Sequence, residues 1–255
     1  MNRTIYSLFI VVMFGVIQIA GIPIQIYIAL KNPGASVQEI LSLYMPYQFV
    51  IYIIGLIIIL VLGNIHKDKN IFESGVKTPP LQTVAWIFGG LILAYGVQII
   101  TAQINIHLLG NPLESENTKH IMEMISNMPY MIFFVAVIGP IIEEYVFRRA
   151  IFAEIYERLP MNKIAAFLIA GLISGFVFAI AHFDFTHILI YVGMSYVFSF
   201  VYVMTNRLLV PIVVHMLMNG CVVLLQLTFK DQIEKLEQLQ TNGLIIIKTI
   251  FNTII

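Results

Sequence analysis

The chain has 255 residues, 59% hydrophobic and only 11% charged, where a soluble domain carries about 25% charged residues; this excludes an ordinary soluble enzyme and a disordered chain. Its 14 basic and 14 acidic residues cancel, so the basic footprint of a nucleic-acid binder is missing. A single cysteine, Cys221, excludes a disulfide framework or a thiolate metal cluster.

What remains is a multi-pass integral protein of the cell membrane, and its spans can be read in order. About 20 apolar residues cross a bilayer as a helix. Residues 5–30 form the first such run; it is long and lacks a small-residue cleavage site, so it reads as a retained anchor. Residues 44–63 carry the unbroken IIGLIIILVLG, and residues 81–109 turn polar at Gln98, Gln103, Asn105 and His107. Between these two, Lys67, Lys69, Lys77 and Pro79-Pro80 mark a loop over 66–80.

After the polar stretch 111–127, a hydrophobic run extends from Met128 through Gly139-Pro140 to Leu159, with a helix expected to restart at Pro140. The chain turns at 160–163, and residues 164–181, 188–204 and 208–227 supply three more spans. A charged, helix-like tail follows at 230–240, then a short apolar end at 243–255. The reading is therefore all-α: one domain over 1–255, a transmembrane bundle of seven helices with an eighth as the alternative. Cytoplasmic loops carry the excess of Lys and Arg. With the N-terminus inside, the inner segments hold Arg3, Lys67, Lys69, Lys77, Arg148, Arg149, Arg158, Lys163 and Arg207, against five lysines outside.

Ionisable groups in a membrane are costly and mark function by default. Glu143-Glu144 lies in VAVIGPIIEEYVFRRAIF, His182 ends GFVFAIAHF, and His215 and Asn219 lie within VPIVVHMLMNG. Glu144 and Arg148 are four residues apart, as are His215 and Asn219, and Phe178 and His182, so each pair shares a helix face. At 1.5 Å per residue, Glu143 and His182 lie about 22 and 28 Å from the turn at 160–163, and His215 and Asn219 about 12 and 18 Å from the turn at Asn206-Arg207, which places all four in one central slab. A lone buried pair is often structural glue; this many costly groups at one depth points to chemistry.

A glutamate removed from bulk water, beside a histidine, can act as general base for a water molecule. An asparagine amide and a second imidazole can donate to an oxyanion. No serine or cysteine nucleophile is needed, because Cys221 falls on another side of its helix from Asn219. A zinc ion held by Glu143, His182 and His215 is the alternative, although the HExxH spacing is absent.

These residues resemble the three motifs of the CAAX protease and bacteriocin-processing (CPBP, or Abi) family of intramembrane endopeptidases. Glu143-Glu144-Tyr145-Val146-Phe147-Arg148 matches EExxxR, Phe178-Ala179-Ile180-Ala181-His182 matches FxxxH, and His215-Met216-Leu217-Met218-Asn219 matches HxxxN. The resemblance implies a bundle of about eight helices with a family core over about 125–228. By motif position, Glu143 and His182 would activate water, His215 and Asn219 would hold the oxyanion, and Glu144, Arg148 and Phe178 would shape the site. Glu144 would also be able to share the base role. The family is often described as metalloproteases; a metal-free mechanism is the reading favoured here. The implied partner is a membrane-associated peptide or protein, a peptide precursor in preference to a prenylated C-terminus. The rival readings are a non-catalytic scaffold or immunity factor and a transporter or proton relay.

Other histidines read more plainly. His187 is expected at the membrane interface, with Asp184 as its neighbour in an outer shell, and His66, His107 and His120 fall in or near loops.

Overall fold

The computed structural model describes residues 2–66, 68–112 and 115–229. Lys67, the tail at 230–240 and the apolar end at 243–255 lie outside the described residues. Every span expected within them is helical. Helix α1 (Arg3–Ile19) and α2 (Ile22–Lys31) share the first run, broken at Ala20-Gly21, with Pro23 in the first turn of α2. Gly21 is needed there because a Cβ would collide with the Tyr44 side chain. Helix α3 (Val37–Ile65) starts seven residues before the expected 44, because Ser36 and Glu39 form a capping box that satisfies its first donors.

The short α4 (Ile71–Ser74) is capped by Asn70, and α5 (Pro80–His107) follows. The polar stretch contains an amphipathic helix, α6 (Glu116–Asn127), capped by Ser115. Its Ile121, Met122 and Ile125 pack on Met131, Val135 and Val223.

Residues 131–158 form one uninterrupted helical run, α7. It is α-helical at Met131–Phe133, Gly139–Glu143 and Ala153–Arg158, and π-helical at Phe134–Ile138 and Glu144–Phe152. The helix therefore does not restart at Pro140, contrary to expectation. The wider π turn just ahead makes room for the ring that would break a regular α-helix. Then come α8 (Lys163–Ala181), a 3₁₀ turn at Phe185–His187, α9 (Ile188–Thr205) and α10 (Leu209–Thr228).

Among the described residues, six helical stretches are long and apolar enough to cross a membrane: Arg3–Lys31, Val37–Ile65, Pro80–His107, Lys163–Ala181, Phe185–Thr205 and Leu209–Thr228. The seventh expected span is α7, which carries Glu143, Glu144, Arg148, Arg149 and Glu154 and is correspondingly less apolar. It lies at the centre, packed by α1, α3, α8, α9 and α10. Glu144, Arg148, Arg149 and Glu154 are all buried. Intramembrane charge is tolerated where it faces a bundle interior, and the surrounding helices turn Leu8, Val12, Ile57, Ile92, Leu172 and Phe176 outward.

The ends of the bundle sort the loops. At one end Arg3 donates to Glu154 and Glu157, each at 2.6 Å, and to the Lys69 carbonyl at 2.9 Å. There, too, Arg149 pairs with Glu73 and Arg207 Nε donates to the Thr78 carbonyl at 2.9 Å. Most of the basic residues assigned to the inner side meet at this end. Arg148 does not: its side chain is 0% exposed, inside the core, and it drops out of the loop-charge comparison. At the far end Asn111 donates to the Thr186 carbonyl and Ser115 to Asp184.

Candidate active site

Glu143 and Glu144 stand where α7 passes from an α-helical to a π-helical turn. Such turns re-aim side chains and recur at functional sites. Here one imidazole bridges both carboxylates. His215 Nδ1 donates to Glu144 Oε1 at 2.8 Å, and its Nε2 lies 3.6 Å from Glu143 Oε2. One turn along, Arg148 Nε lies 3.0 Å from Glu144 Oε2, and both side chains are 0% exposed. The guanidinium is sandwiched between Phe178 and Phe198, 4.8 and 4.9 Å from the ring centres, where cation–π attraction partly replaces lost hydration. Phe198 also stacks on His215, with ring centres 4.6 Å apart.

His182 lies at the end of α8. Its Nδ1 donates to the Phe178 carbonyl at 2.8 Å; a carbonyl only accepts, so the proton sits on Nδ1 and Nε2 is left as the acceptor. The Phe178 ring lies 4.5 Å from the His182 ring and 6.0 Å from that of His215. Asn219, one turn after His215, donates its amide to the Val135 carbonyl in the first π turn of α7 at 3.2 Å.

The fold thus brings Glu144, Arg148 and His215 into direct contact, with Glu143 facing the same imidazole. Phe178 links this group to His182. Among the described residues no hydrogen bond joins His182 to Glu143. Glu143 Oε2 is buried without a hydrogen-bond partner, and its side chain is 21% exposed, whereas that of Glu144 is 0% exposed. Glu144 Oε2 also lacks a hydrogen bond but is paired with Arg148, so the two adjacent carboxylates differ in enclosure: Glu144 is shut between His215 and Arg148, and Glu143 is partly open with His215 as its one facing charge.

His187 closes the 3₁₀ turn between α8 and α9 at the far end of the bundle, where it is 3% exposed. Its Nδ1 lies 2.9 Å from Asp184 Oδ1, and its Nε2 lies 3.1 Å from the Pro112 carbonyl. Burial pushes the Asp184 carboxyl up, and hydrogen bonds from Ser115, His187 and Thr186 more than offset this, leaving it below its ordinary range. Sequence reasoning missed Phe198, which covers His215, and Tyr191, which stacks on His182. Neither shares a helix with the motif residue it touches, so no spacing rule reaches them.

A catalytic zinc takes three protein ligands at about 2.0–2.2 Å. Among the described residues, no three His, Cys, Asp or Glu side chains stand where they could hold one ion. Glu143 and His215 Nε2 would supply two donors, and His182 is turned onto Phe178. Among the described residues the zinc set is not assembled.

A membrane bundle with paired carboxylates, imidazoles and an amide at its centre, and no serine or cysteine nucleophile in the cluster, has the make-up of an intramembrane peptide hydrolase. Residues 125–221 match the Rce1-like family, described as type II CAAX prenyl endopeptidase Rce1-like. The chain is 38% identical over 188 residues to the membrane-embedded CAAX protease MroQ of Staphylococcus aureus (strain USA300), covering 74% of this chain and 76% of that protein. It is 36% identical over 171 residues to the putative membrane peptidase YdiL of Bacillus subtilis (strain 168), covering 67% of each. No solved structure matches the chain. The chain belongs to the Rce1-like CAAX protease family. It is a membrane-embedded peptide hydrolase acting on membrane-associated substrates, in place of the scaffold and transporter readings.

Proposed function

We propose that Glu143 activates a water molecule for direct attack on a peptide bond, without a covalent intermediate, and that the substrate is a small membrane-associated peptide precursor. The observation that carries this reading is the asymmetry of the two glutamates: Glu144 is fully enclosed between His215 and Arg148, whereas Glu143 is partly exposed and faces only His215 Nε2, at 3.6 Å. In the proposed step, Glu143 takes one proton from water as its oxygen attacks the carbonyl carbon, and the acceptor Nε2 of His182 orients the water by accepting a hydrogen bond from its other O–H. His215, protonated on both nitrogens, donates from Nε2 to the developing oxyanion, and its Nδ1 is held by Glu144. Asn219 retains a second amide N–H for the same oxyanion while its first donates to Val135. Glu143 then passes its proton to the leaving amine. Arg148, 3.0 Å from Glu144, offsets the charge of that carboxylate.

The test compares membrane and secreted peptides from cells carrying wild type, Glu143→Gln or His182→Ala at equal protein levels. A precursor that accumulates in both variants supports the reading and names the substrate; a prenylated protein accumulating instead would replace the substrate class. Unchanged peptide profiles, with both variants supporting every wild-type phenotype, would overturn it.

The purified enzyme in detergent is expected to keep its cleavage rate within twofold after prolonged EDTA or 1,10-phenanthroline treatment. A tenfold loss restored by added zinc would overturn the metal-free mechanism.

A further inference from the structure

The mechanism leaves one aromatic at the site without a task. His182 lies just past the last residue of α8, and the next residue, Phe183, has a left-handed φ of 54°. A side chain at such a helix end is held by its neighbours more than by its own backbone. One nitrogen is fixed by the Phe178 carbonyl and one edge by the Phe178 ring. The face of the imidazole is covered by Tyr191 of α9, with ring centres 4.4 Å apart and planes 28° apart.

Tyr191 is in turn framed by a buried polar cluster at the far end of the bundle. Its hydroxyl lies 3.4 Å from Ser115 Oγ and 3.5 Å from Asp184 Oδ2, the outer limit of a hydrogen bond. Asp184 is firmly anchored, accepting from Ser115 at 2.6 Å, Thr186 at 2.9 Å and His187 at 2.9 Å. The same Ser115 caps α6 by accepting from the Thr118 amide.

We propose that Tyr191 is a positioning residue: its ring, framed by Asp184 and Ser115, holds the His182 imidazole so that Nε2 is presented to the water activated by Glu143. This rests on the role given to His182 above. The stacking face does the positioning and the long hydroxyl contacts add little, so the two parts of the side chain separate experimentally. A misplacement of about 1 Å at a reacting group can cost on the order of 100-fold in rate.

The test uses Tyr191→Phe, which keeps the ring, and Tyr191→Leu, which removes it, with Tyr191→Met in its place if the leucine variant does not accumulate. The substrate is the precursor that builds up with Glu143→Gln. Tyr191→Leu is expected to lower kcat at least tenfold with KM within twofold, and Tyr191→Phe to stay within threefold of wild type. In detergent micelles, NMR of histidine-labelled enzyme should show the His182 ring protons, identified by their loss in His182→Ala, shifted upfield by the stacked ring. That shift should persist in Tyr191→Phe and vanish in Tyr191→Leu.

Wild-type turnover in the ring-deleted variant would overturn the proposal, as would a phenylalanine variant as impaired as the leucine one. So would the absence of the upfield shift from wild type. Should His182→Ala itself cleave at the wild-type rate, the catalytic role of His182 fails, a result separate from any produced by the Tyr191 variants.

Discussion

Glu143→Gln is expected to lower kcat about 10²–10⁴-fold, the range typical of losing a positioned general base, while the protein still inserts and folds. The amide has the shape of the carboxylate but cannot take a proton from water. Folding should survive because Glu143 makes none of the short contacts that hold the cluster: the 2.8 Å bond to His215 and the 3.0 Å pair with Arg148 both belong to Glu144. Cleavage of the precursor by enzyme reconstituted in liposomes, alongside a thermal melt, separates the two effects. A Glu143→Gln enzyme with normal melting and more than a tenth of wild-type kcat would transfer the base role to Glu144 or His182.

Arg148→Met is expected to act on stability. Arg148 and Glu144 are both fully buried, and deleting one partner of such a pair strands the other charge, at about 3–5 kcal/mol. Few donors stand ready to relieve Glu144, whose remaining partner is His215. Removing both charges, in Glu144→Gln with Arg148→Met, should recover much of the loss, since a neutral pair in the same volume carries no stranded charge. Arg148→Lys is not a conservative change either, because a planar guanidinium fills the slot between Phe178 and Phe198. Unfolding monitored in mixed detergent micelles, wild type against both single variants and the double, gives the coupling directly. Additive losses would show that the pair is not a unit.

Much of this protein was legible along the chain because lipid imposes a simple rule. Each crossing must satisfy its own backbone and present apolar side chains outward, so runs of about 20 apolar residues stand out in sequence. The spans up to α10 could be placed in this way. The site residues were legible for the converse reason: a charge costly enough to be rare in such a run announces itself, and the four-residue spacings of Glu144 with Arg148, Phe178 with His182, and His215 with Asn219 each put two of them on one helix face.

Only the tertiary structure decided how those faces meet. Helical spacing cannot say that one imidazole bridges two neighbouring glutamates, because this depends on the π-helical turn that begins at Glu144 and on the approach of α10. Nor can it separate the surroundings of the two glutamates, which burial does: Glu144 is enclosed with Arg148, and Glu143 stays partly exposed. Arg148 looked like part of an inner basic segment and is instead a cation buried in the core. Tyr191 and Phe198 belong to a helix that carries none of the motifs, yet each covers a motif histidine. Local periodicity sorts side chains by face within one helix; which faces meet is set by packing between helices far apart in sequence, and that information lies in no single segment of the chain.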